Sequence, residues 1–303
     1  MQLLTNANFD FVNKRYLFFG ISIALIIISI LSIIIRGGLN LGIDFTGGVM
    51  IEVKFSEPVD LATIRKTLAK ANLPPFDLQH FPKRNSVIIR IKGKEEIIEE
   101  TSGKIRNTFE TSTEIKNFTI ERTEFVGPSI GKHLTERAMY AILLSLLGII
   151  IYVGIRFKST VWGVSGVIAL AHDVFITIGL FSVLNREINL TVIASLLTLA
   201  GYSINDTIVI FDRIRENLSL LRKEPLEKII NTSINQTLSR TIITSLTTEL
   251  VVISLFFFGG EVIHDFSLAF LFGCFIGTYS SIFIASPIVL EWINYRTKKI
   301  SKR

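Results

Sequence analysis

Six apolar runs, each long enough to cross a lipid bilayer, constrain this chain more than any other feature. The first is Leu17–Ile35, a charged stretch follows at residues 36–137, and the other runs come after it. A helix rises about 1.5 Å per residue, so about 20 apolar residues match a hydrocarbon core of about 30 Å. The sequence therefore predicts six membrane spans. The later ones are Ala138–Ile155, Val161–Leu184, Ile188–Phe211, Thr241–Phe258 and Phe266–Leu290.

The composition indicates the same class of protein. The chain has 303 residues, of which 49% are hydrophobic and 19% charged, and its mean hydropathy is +0.50. A soluble enzyme of this size needs more polar surface, and a disordered chain would not hold 23 phenylalanines. The one cysteine, Cys274, lies inside an apolar run, which excludes an intramolecular disulfide and a cysteine-based metal site. We predict a polytopic α-helical membrane protein, six transmembrane helices with a small α+β domain between the first and second.

The first apolar run has two interpretations, a retained span or a cleaved signal peptide. A signal peptide has a shorter apolar core and a cleavage site made of small residues. Here Arg36 follows the run directly. The pattern therefore favours a retained first span.

The distribution of lysine and arginine predicts how the chain is oriented, because bases near span ends are retained in the cytoplasm. The short loops on one side offer only Arg186, whereas the bases near the other span ends all fall on the opposite side. We therefore expect both termini in the cytoplasm and residues 36–137 in the periplasm. The positive charge belongs to the membrane rim, so nucleic acid is not an expected partner. The bases in question are Lys14, Arg15, Arg156, Lys158, Arg213, Arg215, Arg222, Lys223, Lys228, Arg296, Lys298, Lys299, Lys302 and Arg303.

The charged stretch has the pattern of a small α+β domain. Apolar and polar residues alternate over Gly48–Phe55, Ser86–Lys92 and Asn117–Phe125, as in half-buried strands, and Phe76–Phe81 is a further candidate strand. Helical spacing occurs over Val59–Ala71 and Glu95–Phe109. The order β-α-β-β-α-β predicts a ferredoxin-like sandwich.

These patterns divide the chain into four parts: residues 1–35 with the first span, the domain at 36–137, a five-helix bundle at 138–290, and a basic cytoplasmic tail at 291–303. The bundle includes a predicted cytoplasmic loop at 212–239. Its apolar residues have helical spacing, so it is interpreted as an interfacial helix, as a helical pair broken near Pro225, or as a docking site for a cytosolic partner. Gly273 and Gly277 predict close helix packing, and Pro287 predicts a bend in the sixth span.

No motif for covalent catalysis is present. The sequence lacks a nucleophile elbow, a Walker loop, zinc-ligand spacing and a dinucleotide fingerprint, and its four histidines are scattered. We therefore expect no enzyme active site, no cofactor and no metal. Work done by such a membrane protein would draw its energy from an ion gradient.

Ionisable residues inside the spans are the strongest functional signals, because a charge at a helix centre costs about 2.5–3.5 kcal/mol on insertion scales. Asp206 in the fourth span and Arg240 at the start of the fifth are predicted at similar depth, where they can pair. Arginine favours the charged carboxylate and desolvation favours the protonated acid, which suits a proton relay. The alternatives are a static bridge between two helices, or an Arg240 that reaches to the lipid headgroups.

Three further residues are weaker or open candidates for the relay. Asp173 in the third span is a candidate, or else a packing residue bonded to His172 or Thr177. His172 could titrate near neutral pH, although a lone histidine is more often a satisfied core residue. Glu249, midway along the fifth span, is more often expected as a bonded packing residue.

Several stretches together resemble the SecD/SecF family of bacterial protein-export membrane proteins. LGIDFTGG at 41–48 is similar to the family motif after the first span, and VGP at 126–128 with Gly131 to the one before the second. The remaining blocks follow in order: AHDV at 171–174, AGYSINDTIVIFDRIREN at 200–217, SRT at 239–241, FGG at 258–260 and GTYSSI at 277–282. The resemblance covers nearly the whole chain.

This resemblance implies a member of the resistance-nodulation-division superfamily, in which two six-span halves surround a pseudo-twofold axis. It implies a subunit of the bacterial inner membrane that uses the proton motive force to complete the export of unfolded proteins. The implied partners are an obligate six-span SecD, the SecYEG translocon, SecA indirectly, YajC and YidC, the unfolded exported polypeptide, and protons.

The resemblance also implies roles for single residues. By their place in the motifs, Asp206 and Arg240 correspond to the proton pathway of the family, and Asp173 matches a motif residue. Glu249 falls outside the matching motifs. A hinge or docking role is implied for residues of the first two motifs, namely Asp44, Gly47, Gly48, Gly127 and Pro128.

Two other functions are compatible with the same architecture. One is a half-transporter of the same superfamily that exports a small hydrophobic molecule or a lipid. The other is a scaffold that only helps a translocon to assemble. In the first case a six-span partner is still needed, because this chain supplies one half.

Overall fold

The computed structural model describes residues 8–71, 73–81, 85–91, 98–112, 115, 117–157 and 159–301. They form two compact units: residues 41–140 make an α+β domain, and the described residues on either side of it make a helical bundle. Among the described residues, six helices are long and apolar enough to span a membrane. The predicted fold class is therefore confirmed.

The α+β domain has the predicted order of strands and helices. It opens with the short helix α2 (Ile43–Thr46) and continues with β1 (Gly48–Phe55), α3 (Leu61–Ala69), β2 (Phe76–Phe81), β3 (Ser86–Ile91), α4 (Ile98–Glu110) and β4 (Phe118–Val126). The strands pair antiparallel in the order β2-β3-β1-β4. This is the sheet of a ferredoxin-like fold, with β1 and β3 in the centre.

The core of this domain lies between the sheet and its two helices. Ile51 on β1 and Ile89 on β3 are opposite each other in the register and have no exposed surface. Ile64 and Leu68 of α3 and Phe109 of α4 pack against the same face. The edge strand β4 alternates between half-buried and exposed residues, because one of its faces stays open to solvent.

The bundle contains α1 (Arg15–Ile35), α5 (Pro128–Phe157), α6 (Thr160–Val183), α7 (Leu190–Leu220), α8 (Leu226–Phe258), α9 (Glu261–Ser280) and α10 (Ser286–Ser301), with a π-helical turn at Ser281–Ala285. The first residues of α5 belong to the α+β domain. Asn189 caps α7, its Oδ1 accepting from Val192 N at 2.9 Å. Helices α6, α7 and α9 form the buried centre, whereas most of α1, α5 and α8 is exposed.

The helices extend well beyond the apolar runs that predicted them. Helix α7 continues to Leu220 and α8 begins at Leu226, so the stretch 212–239 is helical apart from 221–225. Of the three interpretations of this connection, the helical pair broken near Pro225 agrees with the structure, while its cytoplasmic location stays a prediction. Hydropathy detects only the part of a helix that lies in lipid, whereas buried residues such as Ile214 and Ile230 continue the core beyond it.

Pro287 follows a π-helical turn in the sixth span, while the bend predicted there stays a prediction. The π-helical turn Ser281–Ala285 lies directly before it, and α10 resumes at Ser286. Proline lacks a main-chain N–H and its ring clashes with the carbonyl one turn earlier, which a wider turn relieves. Ser286 Oγ donates to Ser281 O at 2.9 Å within this turn.

Some predicted positions lie outside the described residues. They are Lys92 at the end of β3, residues 95–97 before α4, Lys158, and the last two residues of the tail, Lys302 and Arg303.

Small residues set how closely the helices pack, as the glycine pattern predicted. A Cβ at Gly277 of α9 would lie 3.0 Å from the side chain of Ser203 on α7. A Cβ at Gly179 of α6 would overlap the side chain of Ser29 on α1 and lie 3.2 Å from its Cα. Glycine is therefore needed where α6 meets α1 and where α9 meets α7.

We expect Gly179→Ala to destabilise the protein by about 1–3 kcal/mol, because the added methyl group overpacks the α1–α6 contact. Gly148→Ala on α5 is the matched control, since a Cβ there has no described heavy atom within 4 Å. Alanine also favours the helix at both sites by about 1 kcal/mol. Thermal unfolding of the purified protein in detergent measures both, and equal stability of the two variants would contradict the prediction.

Candidate functional site

Asp173 lies at the centre of the bundle, where several helices contribute to its hydrogen bonds. It has no exposed surface. Its Oδ2 accepts from Ser203 Oγ of α7 at 2.6 Å and from Ser280 Oγ of α9 at 2.8 Å. Its Oδ1 lies 3.0 Å from His172 Nδ1. Thr177, the other partner considered from the sequence, donates to the main-chain oxygen of Asp173 instead, at 2.8 Å.

His172 extends this network to α1. Its Nε2 lies 3.0 Å from Ser22 Oγ, and Ser22 Oγ lies 3.0 Å from the hydroxyl of Tyr279 on α9. The Tyr279 hydroxyl donates to the main-chain oxygen of Phe18 at 2.8 Å. A polar chain therefore runs from α1 through α6 to α7 and α9 inside an apolar bundle.

Asp206 occupies a second polar position, one turn beyond Ser203 on α7. It is buried, with 4% of its surface exposed. Ser245 Oγ of α8 donates to its Oδ2 over a long 3.4 Å and also contacts Thr278 Oγ1 of α9 at 2.7 Å. Asp206 is therefore far less strongly hydrogen-bonded than Asp173, although both are buried.

Arg240 is exposed and lies near the middle of α8, because that helix begins at Leu226 rather than at the start of the apolar run. Its guanidinium acts on the charge of Asp206 through space. No ion pair within 4.0 Å joins the two side chains, both of which lie in the described part of the chain. The direct contact considered from the sequence is thus replaced by a longer-range interaction.

Glu249 lies on α8, about two and a half turns beyond Arg240, and is half-buried. The structure does not bring it to the Asp173 network. It lies within electrostatic range of the Cys274 thiol on α9. Glu249 stays a weaker candidate for the proton relay, without a defined hydrogen-bond partner among the described residues.

The glycine motif after the first span meets the start of α5 within the α+β domain. Gly47 and Gly48 have φ angles of 73° and 145°, which favour glycine. A Cβ at Gly47 would lie 3.0 Å from Pro128 Cα. Asp44 lies in α2 just before this turn, and Gly131 N donates to Gly127 O at 2.9 Å after it. The five predicted hinge residues are thus brought together, while their role as a hinge stays a prediction.

Within the described residues, no group of three or more His, Cys, Asp or Glu side chains is arranged to hold a metal ion. The polar centre consists of carboxylates, one imidazole and hydroxyl groups. Such an arrangement can bind, orient and pass protons.

Sequence reasoning missed the hydroxyl groups of the network. Ser22, Ser203, Tyr279 and Ser280 lie in apolar runs, where a single serine or tyrosine is common and carries little signal. Ser203 and the pair Tyr279–Ser280 fall within matching motif blocks, which is the signal that could have identified them. Ser203 and Ser280 contact Asp173, and Ser22 and Tyr279 join the network through His172. This arrangement depends on the packing of α1, α6, α7 and α9.

Comparisons with known proteins agree with the predicted family. Residues 105–295 match the family "Protein export membrane protein SecD/SecF, C-terminal", and residues 32–59 match the "SecD/SecF GG Motif". A relative from Endomicrobium trichonymphae, named protein translocase subunit SecF, is 44% identical over 96% of this chain and 94% of its own. A relative of the same name from Thermodesulfovibrio yellowstonii is 45% identical over 96% of both chains.

A solved structure has the same fold. The crystal structure of SecDF from Thermus thermophilus, described as a translocon-associated membrane protein, matches with a TM-score of 0.87 and 38% identity. The match covers 97% of this chain and 40% of the SecDF chain. A second SecDF crystal structure, in a "super-membrane-facing form", matches with a TM-score of 0.72 and 36% identity over all of this chain and 41% of the other.

We expect Asp173→Ala to lower the free energy of unfolding by about 1–3 kcal/mol more than Asp206→Ala. The first substitution leaves buried donors of α6, α7 and α9 without their acceptor, whereas the second removes one long hydrogen bond. The same atoms are deleted in both, so each variant is the control for the other. Unfolding in mixed micelles, titrated with SDS, measures the difference, and a larger loss for Asp206→Ala would contradict the prediction.

Proposed function

Because the chain belongs to the SecD/SecF family of protein-export membrane proteins and is a protein translocase subunit, we propose that it couples proton movement to the export of unfolded polypeptides. In this proposal it supplies six of the spans, and SecD supplies the other half. The coverage of the SecDF chain supports this division, since this chain accounts for 40% of it. The proposal requires no covalent catalysis.

Further partners follow from that role. We propose that the pair of subunits works beside the SecYEG channel, after SecA has pushed the substrate into it, with YajC and YidC as associated proteins. The membrane is the bacterial inner membrane, with both termini in the cytoplasm and residues 36–137 in the periplasm. The basic side chains near the span ends support this orientation.

Asp206 is the proposed proton carrier, and the observation that supports it is its burial together with the length of its hydrogen bond from Ser245, 3.4 Å. Burial favours the protonated acid, whereas the nearby guanidinium of Arg240 favours the carboxylate, so opposing effects act on the charge of this group. Asp173, by contrast, is held by short hydrogen bonds. Of the two acids, Asp206 is therefore the proposed carrier of the protons that cross the membrane during each cycle.

Arg240 is proposed to respond to that change of charge. When Asp206 is ionised, it attracts the guanidinium on α8, and when it is protonated the attraction is lost. Helices α7 and α8 would then shift relative to each other. Each proton that crosses about 100 mV contributes about 2.3 kcal/mol, so a few protons offset several contacts with a moving polypeptide. The turn at Gly47 and Gly48 is the proposed hinge for the domain that holds the polypeptide.

The relatives reported above are named protein translocase subunits, which favours protein export over export of a small hydrophobic molecule or a lipid. The effect of the Asp206 charge distinguishes a proton-coupled role from a scaffold role. If the subunit only helped assembly, the charge of Asp206 would matter through stability alone.

We expect Asp206→Asn to abolish the part of export that depends on the proton gradient, with a loss of at least about tenfold, because the amide cannot exchange the proton. The measurement is the rate of precursor export into membrane vesicles with and without an imposed gradient. The control is Asp212→Asn on the same helix, a partly exposed carboxylate that pairs with Arg156 at 2.6 Å. The variant must be present at the same level as the unmodified protein and must copurify with the same amount of SecD. If precursor export by Asp206→Asn then still depends fully on the gradient, the carrier role is refuted.

The orientation is tested by labelling single cysteines in a Cys274→Ala background. We expect a membrane-impermeant maleimide to label Arg106→Cys in the α+β domain of intact cells, and Lys223→Cys only after the inner membrane is opened. Both positions are exposed, so the membrane and not burial decides access. The reverse labelling pattern would place the termini in the periplasm.

A further inference from the structure

The hydrogen bonds between α1 and α9 have a defined direction. The Tyr279 hydroxyl donates to Phe18 O at 2.8 Å, and a carbonyl oxygen can only accept. The single hydroxyl hydrogen of Tyr279 is therefore used there. Ser22 Oγ lies 3.0 Å from the Tyr279 oxygen, so Ser22 is the donor in that hydrogen bond.

The direction continues to the imidazole. The single hydrogen of Ser22 points at Tyr279, so the 3.0 Å contact between Ser22 Oγ and His172 Nε2 requires that Nε2 donates. His172 therefore carries a hydrogen on Nε2. Its other nitrogen, Nδ1, lies 3.0 Å from Asp173 Oδ1. Two bare lone pairs repel at this distance, so a hydrogen lies between Nδ1 and Oδ1 as well.

We propose that His172 and Asp173 form a proton-binding site that holds one dissociable proton and carries no net charge. The proton is on Nδ1, giving an imidazolium beside a carboxylate, or on Oδ1, giving an imidazole beside a carboxylic acid. The charges sum to zero in both forms. Burial is consistent with this, because Asp173 is 0% and His172 7% exposed, and an isolated net charge there would be strongly disfavoured.

Few other ionisable groups lie within about two helical turns of this network along the helices packed around it. Helix α6 has no others, and α1 has none between Leu17 and Ile35. Helix α7 contributes Tyr202 and Asp206 on either side of Ser203, and α9 contributes Tyr279 at the site itself and Cys274. The π-helical turn contributes none, and the Glu291 carboxylate of α10 is paired with Arg15 at 2.7 Å.

Release of this proton has a structural consequence. Transfer of the proton to water leaves a neutral imidazole beside a carboxylate, with a total charge of −1. The imidazole then has one hydrogen, which stays on Nδ1 and is donated to the carboxylate. Nε2 becomes an acceptor, so Ser22 must turn its hydrogen from Tyr279 to the imidazole. Tyr279 then retains only one of its two hydrogen bonds to α1. Proton binding at the pair is therefore linked to the contact between α1 and α9.

This site is independent of the role proposed for Asp206. The direction of the hydrogen bonds fixes the proton whether or not Asp206 exchanges one during export. The test accordingly uses protonation of the purified protein and does not use export.

The experiment is ¹⁵N NMR of the full chain in detergent micelles with labelled histidine, in which His172→Gln assigns one of the four histidines. We expect His172 Nε2 to be protonated at neutral pH. We also follow the pH at which the Nδ1 signal changes. In Tyr279→Phe, Ser22 no longer donates to a tyrosine oxygen, so its hydrogen is available to Nε2. This stabilises the form of the pair that has released the proton. We therefore expect the proton affinity of the pair to fall by about tenfold, or one pH unit.

Ser22→Ala is the second variant, in case Tyr279→Phe does not fold, and it is expected to shift the titration in the same direction. Tyr140→Phe on the exposed surface of α5 is the control and should titrate as the unmodified protein does. Two results would overturn the proposal: a neutral His172 whose Nε2 is unprotonated, or a titration unchanged by both Tyr279→Phe and Ser22→Ala.

Discussion

A carboxylate inside an apolar bundle must find hydrogen-bond donors within the protein, because lipid offers none. Asp173 obtains them from Ser203 and Ser280, and its contact with His172 extends the network through Ser22 to α1. This requirement fixes which faces of α1, α6, α7 and α9 meet. A rotation of any of these helices would leave a buried polar group unsatisfied, so the polar centre specifies the arrangement of the bundle.

Close approach of the helices makes that centre feasible. Short side-chain hydroxyls reach Asp173 only when the helix axes are near each other, and glycines allow this approach. Gly277 lies against Ser203, and Gly179 lies against Ser29. The small residues and the polar residues therefore act together, since each glycine contact lies on a helix pair that the network also joins.

The two buried acids have different environments, and this separates their roles. Asp173 is held by short hydrogen bonds and is adjacent to an imidazole, so the proton proposed there is linked to helix packing. Asp206 accepts a long hydrogen bond from Ser245 and makes no ion pair within 4.0 Å with the exposed Arg240, so its charge is less constrained. A translocase subunit that uses a gradient needs both a rigid bundle and a group free to change charge. Ser203, which donates to Asp173, and Asp206 itself lie one helical turn apart on α7.

Elements with local signals were predictable from the sequence. Six apolar runs predicted the spans, and alternation predicted β1 at the bounds that the structure has. The candidate strand Phe76–Phe81 also has the bounds of β2. The family motifs indicated Asp206, Arg240 and Asp173. These features are local because hydropathy, strand period and motif spacing each depend on near neighbours in the chain.

Three features became apparent only in the folded protein. They are the hydroxyl groups that contact Asp173, the lengths of α7 and α8 beyond the apolar runs, and the lack of a direct contact between Arg240 and Asp206. Each of these depends on helix rotation and packing between residues far apart in sequence. A serine in an apolar helix looks the same in sequence whether it faces lipid or a carboxylate. The direction of its hydrogen bond, and with it the position of a proton, exists only once the helices are assembled.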